Sequence, residues 1–177
     1  TSTAATVTDN SYSDGNTTVT ITRYREDDTD IYVADITLSS VSDLETAFAN
    51  ATYGKNITAT TSDIVADNNA ILAINGDYYS ARSGYVIRNG VLYRSTSAGD
   101  DQEDLVIYSD GSCEIIREGD ITAQELVDKG AWQVLSFGPG LVENGEIAVT
   151  EDEEVDQAMT SNPRTAFGMI DSLHYVM

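Results

Sequence analysis

Basic residues are scarce in this sequence. Its 177 residues contain 9 Lys and Arg against 30 Asp and Glu, so the formal net charge is -21. Proteins bind nucleic acids and anionic membranes through clusters of basic side chains that displace counterions. The charge therefore argues against nucleic-acid partners and peripheral membrane attachment. Any phosphate that the protein binds must be held by individual cationic side chains.

The residues used in disulfides, zinc sites and histidine catalysis are also few. The only cysteine, Cys113, cannot form an internal disulfide, and its neighbours favour a small strand residue over a catalytic thiol. The only histidine, His174, lies between Leu173 and Tyr175, where a structural role is favoured over that of a general base. Phosphate-binding glycine loops with lysine, Gly-x-Ser-x-Gly elbows and His-Glu-x-x-His motifs are absent.

No apolar stretch approaches the roughly 20 residues that a membrane-spanning helix requires, so we expect no membrane insertion. Hydrophobic residues make up 41% of the chain, which is enough for the core of one domain. Thr, Ser, Asn and Asp are abundant, which is typical of a bacterial surface or secreted domain. We therefore expect an extracellular or cell-surface location, with any leader removed upstream of Thr1. The oligomeric state is not indicated.

Alternating and turn-forming residues predict a strand-rich protein. Residues 18–24 and 31–38 alternate between apolar and polar, which predicts a hairpin. Asn-Gly and Asp-Gly pairs supply the positive φ angles that tight hairpin turns require, and they occur at 89–90, 110–111 and 144–145. Another hairpin is predicted around Asp171 and Ser172. The continuous apolar run at 70–74 predicts a strand buried on both faces, and 131–137 a further core strand.

Short helices complete the predicted architecture. Capping boxes predict helices over 42–50 and 122–129, and a third helix begins near Thr61. The fold class is therefore α+β, a strand-rich mixed sheet with several hairpins and a few short helices. Residues 1–16 have little apolar content and are predicted to be a flexible N-terminal linker, and residues 17–177 to be the folded domain. Because the chain ends within a predicted apolar strand, we expect the domain to be incomplete at the C-terminus.

Polar residues at the ends of apolar strands are the candidates for chemistry, because rigid strands can hold them at a cleft. Asn75, Asp77, Tyr78 and Tyr79 follow the apolar run at 70–74. Their alternative interpretation is a turn whose tyrosines cap the core, and the residues alone give the two equal weight.

Two later segments are candidates as well. The glycines and proline of 136–140 can open a path for a ligand at Gly138 or simply form a turn. Arg164 follows Asn162 and Pro163 at the start of an apolar strand, where a guanidinium needs an anion or a carboxylate. The alternative for Arg164 is an internal salt bridge to Asp77 or another acid.

An acidic run at 151–156 carries five carboxylates in six positions. Such runs are usually solvated surface, and a calcium site is the minority interpretation. A divalent cation such as Ca2+ is compatible with so acidic a chain, because hard cations prefer oxygen ligands. No ligand spacing specifies a metal site.

Four ordered motifs carry a family resemblance. They are Ala-Ile-Asn-Gly-Asp-Tyr-Tyr at 73–79, Gly-Tyr-Val-Ile-Arg-Asn-Gly at 84–90, Ser-Phe-Gly-Pro-Gly-Leu-Val-Glu-Asn-Gly at 136–145 and Asn-Pro-Arg-Thr-Ala-Phe-Gly at 162–168. In this order they resemble the phosphodiester glycosidase domain family, which includes many bacterial exopolysaccharide-related proteins. The resemblance covers residues 17–177. It implies an α+β fold and cleavage between the anomeric carbon of a sugar, such as α-N-acetylglucosamine, and a phosphodiester oxygen. Family members continue into an Asp-Gly-Gly-Gly-Ser-like motif that this chain does not reach, which implies an incomplete site in this fragment.

The resemblance suggests roles for individual residues. Asp77 is the best candidate for a catalytic carboxylate, as base, nucleophile or stabiliser of an oxocarbenium-like centre, with Asn75 fixing sugar hydroxyls or Asp77 itself. Glu143 is a weaker catalytic partner. Arg164 is the first choice for the phosphate clamp and Arg88 the second, because a guanidinium fits phosphate oxygens. The remaining substrate-binding candidates are Thr165, Tyr78 and Gly138.

Two other functions compete with sugar-phosphodiester hydrolysis. One is a non-catalytic extracellular module that binds an anionic glycan or calcium, which the acidic run supports. The other is a hydrolase of ordinary glycosides that uses a carboxylate pair and does not need Arg164.

Overall fold

The computed structural model describes residues 4–77, 83–150 and 161–177, which belong to two compact units. The first unit contains residues up to Glu45, Asp110–Ser112 and Thr165–Met177, and the second contains Thr46–Ser109 and Cys113–Arg164. Each unit includes one large sheet, and every strand pairing in the described residues is antiparallel. The strand-rich prediction is therefore confirmed, and the prediction of a mixed sheet is wrong for this part of the chain, because adjacent strands are mostly joined by short hairpins.

Strands are more numerous than helices in the described residues. The strands are β1 (Thr6–Thr8), β2 (Ser11–Ser13), β3 (Thr17–Glu26), β4 (Thr29–Leu38), β5 (Val86–Arg88), β6 (Val91–Arg94), β7 (Glu103–Tyr108), β8 (Cys113–Arg117), β9 (Ala131–Leu135), β10 (Val142–Glu143), β11 (Glu146–Ile147), β12 (Gly168–Asp171) and β13 (His174–Val176). The α-helices are α1 (Thr61–Asn68) and α2 (Ala123–Asp128), and single 3-10 turns occupy Val41–Asp43 and Ala49–Ala51. None of the helices in this part of the chain is long and apolar enough to cross a membrane.

The sheet of the first unit has the strand order β1-β2-β3-β4-β13-β12. The β3–β4 hairpin is paired from Thr17 to Glu26, and its turn residues Asp27 and Asp28 both have positive φ, which short polar side chains tolerate. Tyr175 of β13 is fully buried and donates its hydroxyl hydrogen bond to the carbonyl of Gly111 at 2.6 Å. Both predicted hairpins in this unit are confirmed.

Regular structure begins before Thr17, where the sequence predicts a flexible linker. Strands β1 and β2 form a hairpin, and β2 pairs with β3 so that Tyr12 lies opposite Val19. Asp14 closes the following turn, because its carboxylate accepts the backbone N–H groups of Asn16 at 2.9 Å and Thr17 at 2.8 Å. These backbone bonds lower the pKa of Asp14. Strand pairing and the hydrogen bonds of the Asp14 turn thus give regular structure to a segment of polar composition. The predicted boundary between residues 1–16 and 17–177 stays a prediction.

The sheet of the second unit has the strand order β6-β5-β9-β7-β8. Its core contains Ile87, Val106 and Val134 from three strands and Leu126 from α2, all 0% exposed. The predicted capping box of α2 is present, with the side chains of Thr122 and Glu125 each accepting the other residue's backbone N–H. The helices predicted near Thr61 and over 122–129 and the hairpins with turns at 89–90, 110–111 and 144–145 are confirmed. The core strand predicted over 131–137 is present but ends at Leu135.

Two predicted elements of the sequence are wrong. No helix spans 42–50; a 3-10 turn capped by Ser40 is followed by extended residues and a second turn in which Asn50 has a φ of 53°. The apolar run at 70–74 is not a strand, and Ile71 is 53% exposed. A strand needs a hydrogen-bonding neighbour, and no described strand pairs with this segment. Apolar composition alone was therefore not enough to predict the secondary structure of residues 70–74.

Candidate active site

Asp77 and Arg88, both site candidates from the sequence, form an ion pair in the second unit. Nη2 of Arg88 lies 2.5 Å from Oδ2 of Asp77. The other carboxylate oxygen, Oδ1, accepts the backbone N–H of Ser136 at 2.8 Å. The two side chains are 15% and 10% exposed for Asp77 and Arg88. One charged donor and one amide donor thus fix the orientation of the Asp77 carboxylate.

The sheet supplies the groups that hold this pair. Arg88 is the last residue of β5, and its Nη1 donates to the carbonyl oxygens of Ile87, at 3.1 Å, and Val134. A buried guanidinium requires such acceptors, because each unsatisfied donor carries a desolvation cost. Ser136 is the first residue after β9, the strand that pairs with β5. Neighbouring strands therefore fix both partners of Asp77.

Gly84 brings the next segment close to this pair. Its φ is +94°, and a Cβ atom there would lie 3.0 Å from Oγ of Ser136 and 3.6 Å from Oε1 of Glu118. Oγ of Ser136 also donates to the carbonyl of Tyr85 at 3.4 Å. Both the backbone angle and the space favour glycine at this position.

Glu118 joins three segments of the second unit and was not predicted from the sequence. It is 4% exposed, and its carboxylate accepts the backbone N–H groups of Tyr85 at 2.7 Å and Ala98 at 2.5 Å. Its carbonyl accepts the Tyr85 hydroxyl at 3.1 Å. Glu118 sits in a charged turn, Arg117-Glu118-Gly119-Asp120, a pattern typical of solvated surface, so the sequence offered no signal for its burial.

Asp104 on β7 is a second acidic residue that sequence reasoning missed. It is 1% exposed, and neither of its carboxyl oxygens has a hydrogen-bond partner in the described part of the chain. Burial is the main cause that raises the pKa of Asp104 to about 9, and the nearby Glu118 and, more weakly, Asp77 add to the rise. A signal existed: Asp104 lies two positions before Val106, so strand alternation places both on one face of the sheet.

The remaining candidates of the first two motifs lie close to Asp77 in the chain. Asn75 is exposed, two residues before Asp77. Tyr78 lies outside the described residues. Of the site residues predicted from the sequence, the structure shows direct contact between Asp77 and Arg88.

Glu143 lines a groove of the second unit and has no described contact with the Asp77–Arg88 pair. It is an exposed residue of β10, opposite Glu146 of β11. It lines a groove of about 460 Å³ whose wall contains neither Asp77 nor Arg88. The charged residues of this groove are Glu103, Glu114, Arg117, Asp120, Lys129 and Glu143.

The last predicted residues lie in loops. Gly138 has a φ of +68°, and nothing lies within 4 Å of a Cβ built there. Arg164 is an exposed residue of the second unit, and β12 begins four residues later at Gly168, so the prediction that Arg164 starts a strand is wrong. The Asn-Pro-Arg-Thr segment remains outside the hydrogen-bonded ladder, and Pro163 lacks the N–H that pairing would use. Thr165 is half-buried and belongs to the first unit.

No group of three or more His, Cys, Asp or Glu side chains in the described ranges is arranged to hold a metal ion. The acidic run at 151–156, the candidate calcium site of the sequence, lies outside those ranges.

Comparison with known proteins adds one match. A family model described as phosphodiester glycosidase matches residues 68–177, more than half of the chain. The matched segment contains Asp77, Arg88 and Ser136, together with Asp104 and Glu118. No curated protein and no solved structure matches the chain.

Proposed function

Because the chain belongs to the phosphodiester glycosidase family, we propose that it hydrolyses a sugar 1-phosphodiester at the bond between the anomeric carbon and the phosphodiester oxygen. The observation that carries the proposal is the Asp77–Arg88 pair, which lies within the family-matched segment and holds a carboxylate in one orientation by two donors. A fixed carboxylate can stabilise the positive charge that develops at an anomeric carbon.

The chemistry suits a site with one fixed carboxylate. Water adds to the anomeric carbon and loses one proton, while the C1–O bond breaks with its electron pair going to the phosphate oxygen. The proton ends on the departing phosphate, so the products are the free sugar and a phosphate monoester. The departing phosphate is already a good leaving group once a cation matches its charge, so protonation by a second carboxyl group is less critical than in ordinary glycosides.

The two candidate arginines take different roles in this proposal. Both terminal nitrogens of Arg88 donate to internal acceptors, so Arg88 is suited to holding Asp77. Arg164 is exposed, which suits contact with the phosphate of a substrate from outside. We therefore assign Arg164 to the phosphate clamp and Arg88 to the positioning of Asp77.

The wider context belongs to the proposal as well. We propose an α-N-acetylglucosamine-like sugar, and action in exopolysaccharide metabolism outside a bacterial cell or at its surface. These assignments are supported by the motif resemblance and the composition. A divalent cation such as Ca2+ is a proposed ligand with no ligand set assigned to it.

The test is release of reducing sugar from the methyl phosphodiester of α-N-acetylglucosamine-1-phosphate by the full-length protein. Nitrophenyl α-N-acetylglucosaminide, which lacks the phosphate, is the matched control. We expect turnover of the diester and little turnover of the nitrophenyl glycoside. The reverse preference supports an ordinary glycosidase, and saturable binding of the diester without sugar release supports a non-catalytic glycan-binding module; either result contradicts the proposal.

A further inference from the structure

One buried carboxyl group of the second unit lacks a hydrogen-bond donor. Asp104 lies on β7 opposite Ile116 of β8 and is 1% exposed. Among the described residues no donor meets the distance and angle of a good hydrogen bond to either side-chain oxygen, and the side chains close enough to interact with them are Glu118 and Gln102. A carboxylate removed from water without donors is strongly destabilised relative to the neutral acid. The contacts of Asp104 therefore favour its protonated form.

The neighbouring carboxyl groups already have donors of their own. Glu118 accepts two backbone N–H groups, and Asp77 accepts one N–H group and the guanidinium of Arg88. The titratable groups that act on Asp104 or are acted on by it are Glu118, Asp77 with its partner Arg88, and Tyr85. Arg88 is the one cation in this set, and it is paired with Asp77. Within this set Asp104 is thus the carboxyl group with no well-formed hydrogen bond and no counter-charge.

We propose that Asp104 is a positioning residue that stays neutral and thereby limits the negative charge around the Asp77–Arg88 pair, so that the anionic phosphate of a substrate can bind there. This inference rests on the proposed function. Ionised Asp104 would add one uncompensated negative charge near the site. Coulomb repulsion across several ångströms of partly buried protein weakens the binding of a singly charged anion by roughly three- to tenfold.

The same assignment fixes the sign of a pH effect on folding. In the unfolded chain an aspartate loses its proton near its ordinary pKa of about 4, whereas the pKa of folded Asp104 is raised to about 9. The folded state binds one more proton between these values. The contribution of this proton to stability is therefore complete below about pH 4 and is lost as the pH rises toward 9.

Urea unfolding of the wild type, Asp104→Asn and Asp101→Asn at pH 5, 7 and 9 tests the neutral state. Asparagine cannot lose a proton, so we expect the folding equilibrium constant of Asp104→Asn relative to wild type to rise by up to about tenfold per pH unit. Asp101 is exposed, and its replacement changes the net charge equally, so Asp101→Asn should show no such trend. A ratio for Asp104→Asn that does not change with pH overturns the proposal.

An infrared measurement covers the case in which Asp104→Asn does not fold. At pH 7 the folded wild type should show the carbonyl stretch of a protonated carboxylic acid, and this band should disappear above about pH 10, once Asp104 has lost its proton. Absence of the band at pH 7 in the folded protein overturns the proposal without any variant.

The role in anion binding is tested with the methyl phosphodiester of α-N-acetylglucosamine-1-phosphate, whose single charge does not change between about pH 8 and pH 10. Calorimetry should show binding to the wild type and to Asp101→Asn weakening roughly three- to tenfold over this range, with no weakening in Asp104→Asn. Equal pH dependence in all three proteins, or no binding at either pH, overturns the role. Binding with the expected pH dependence but without sugar release contradicts the proposed hydrolysis and supports the assignment of Asp104.

Discussion

At the scale of single residues, Asp77 has the contacts expected of a fixed catalytic carboxylate. We expect Asp77→Asn to lower kcat for the sugar phosphodiester at least about 100-fold, because an amide lacks the negative charge that stabilises the transition state. Asparagine has nearly the same shape, but it removes the counter-charge of Arg88, so we also expect a loss of up to about 3–5 kcal/mol of unfolding free energy. The measurement is steady-state release of reducing sugar, with circular dichroism as the check on folding. Asp67→Asn, a substitution of an exposed carboxylate on α1, is the control and should leave kcat unchanged; an Asp77→Asn enzyme with normal kcat removes Asp77 from the mechanism.

Replacing Arg88 should lower the free energy of unfolding, whereas replacing Arg164 should mainly weaken substrate binding. Arg88→Met leaves the partly buried carboxylate of Asp77 without its cation, which should cost up to about 3–5 kcal/mol of unfolding free energy. Arg164→Met changes an exposed side chain and should cost less than about 1 kcal/mol, because even an exposed ion pair contributes no more than that, while it raises KM for the diester about ten- to a hundredfold. Urea unfolding and steady-state kinetics on both variants check this. A stability loss in Arg164→Met equal to that in Arg88→Met would instead indicate that Arg164 belongs to an internal ion pair.

At the scale of elements, Gly84 and Tyr85 lead into β5 and pack beside Ser136, whose amide holds Asp77. Gly84→Ala introduces a Cβ atom 3.0 Å from Oγ of Ser136 at a φ of +94°. We expect a loss of about 1–3 kcal/mol of unfolding free energy and a lower kcat, because the shift moves the Ser136 amide that orients Asp77.

Gly145→Ala separates the two causes in this prediction. Gly145 has a φ of +80°, and nothing lies within 4 Å of a Cβ there, so this variant carries the backbone strain without the collision. It should lose about 1 kcal/mol and keep its kcat. If both variants lower kcat equally, the contact between Gly84 and Ser136 has no role in orienting Asp77.

Local chemistry explains which elements the sequence could predict. Asn89 and Gly90 have the positive φ angles of a tight hairpin turn, and the capping box of α2 depends on two residues three positions apart, so both signals lie within a few residues. The predicted strand at 70–74 would need a partner strand elsewhere in the chain, and the sequence does not reveal whether one exists. The same limit applies to the site. Asp77 and Arg88 were each predicted as candidates, but their pairing depends on the sheet that fixes Arg88 and Ser136.

The buried acids show a further limit. Asp104 and Glu118 are surface-like residue types whose burial follows from the register of β7 and β8 and from backbone amides contributed by other segments. The composition does not distinguish these two residues from the other Asp and Glu residues, 30 in all. The tertiary structure does, because it buries both side chains. Strand alternation can indicate that Asp104 faces the core, but the perturbation of both acids is found only from the neighbours that the tertiary structure places around them.

At the scale of the whole molecule, the net charge of -21 opposes folding through self-repulsion. Salt screens this repulsion between exposed charges, with a screening length of about 10 Å at 0.1 M. We therefore expect the urea midpoint of unfolding to rise between about 20 mM and 500 mM NaCl, and a midpoint that falls would show that attractive surface pairs outweigh the repulsion.

The same titration with CaCl2 at equal ionic strength separates screening from binding. Equal curves indicate screening alone, whereas an additional stabilisation by micromolar Ca2+ that follows RT ln(1 + [L]/Kd) would identify a specific cation site and support the proposed divalent ligand.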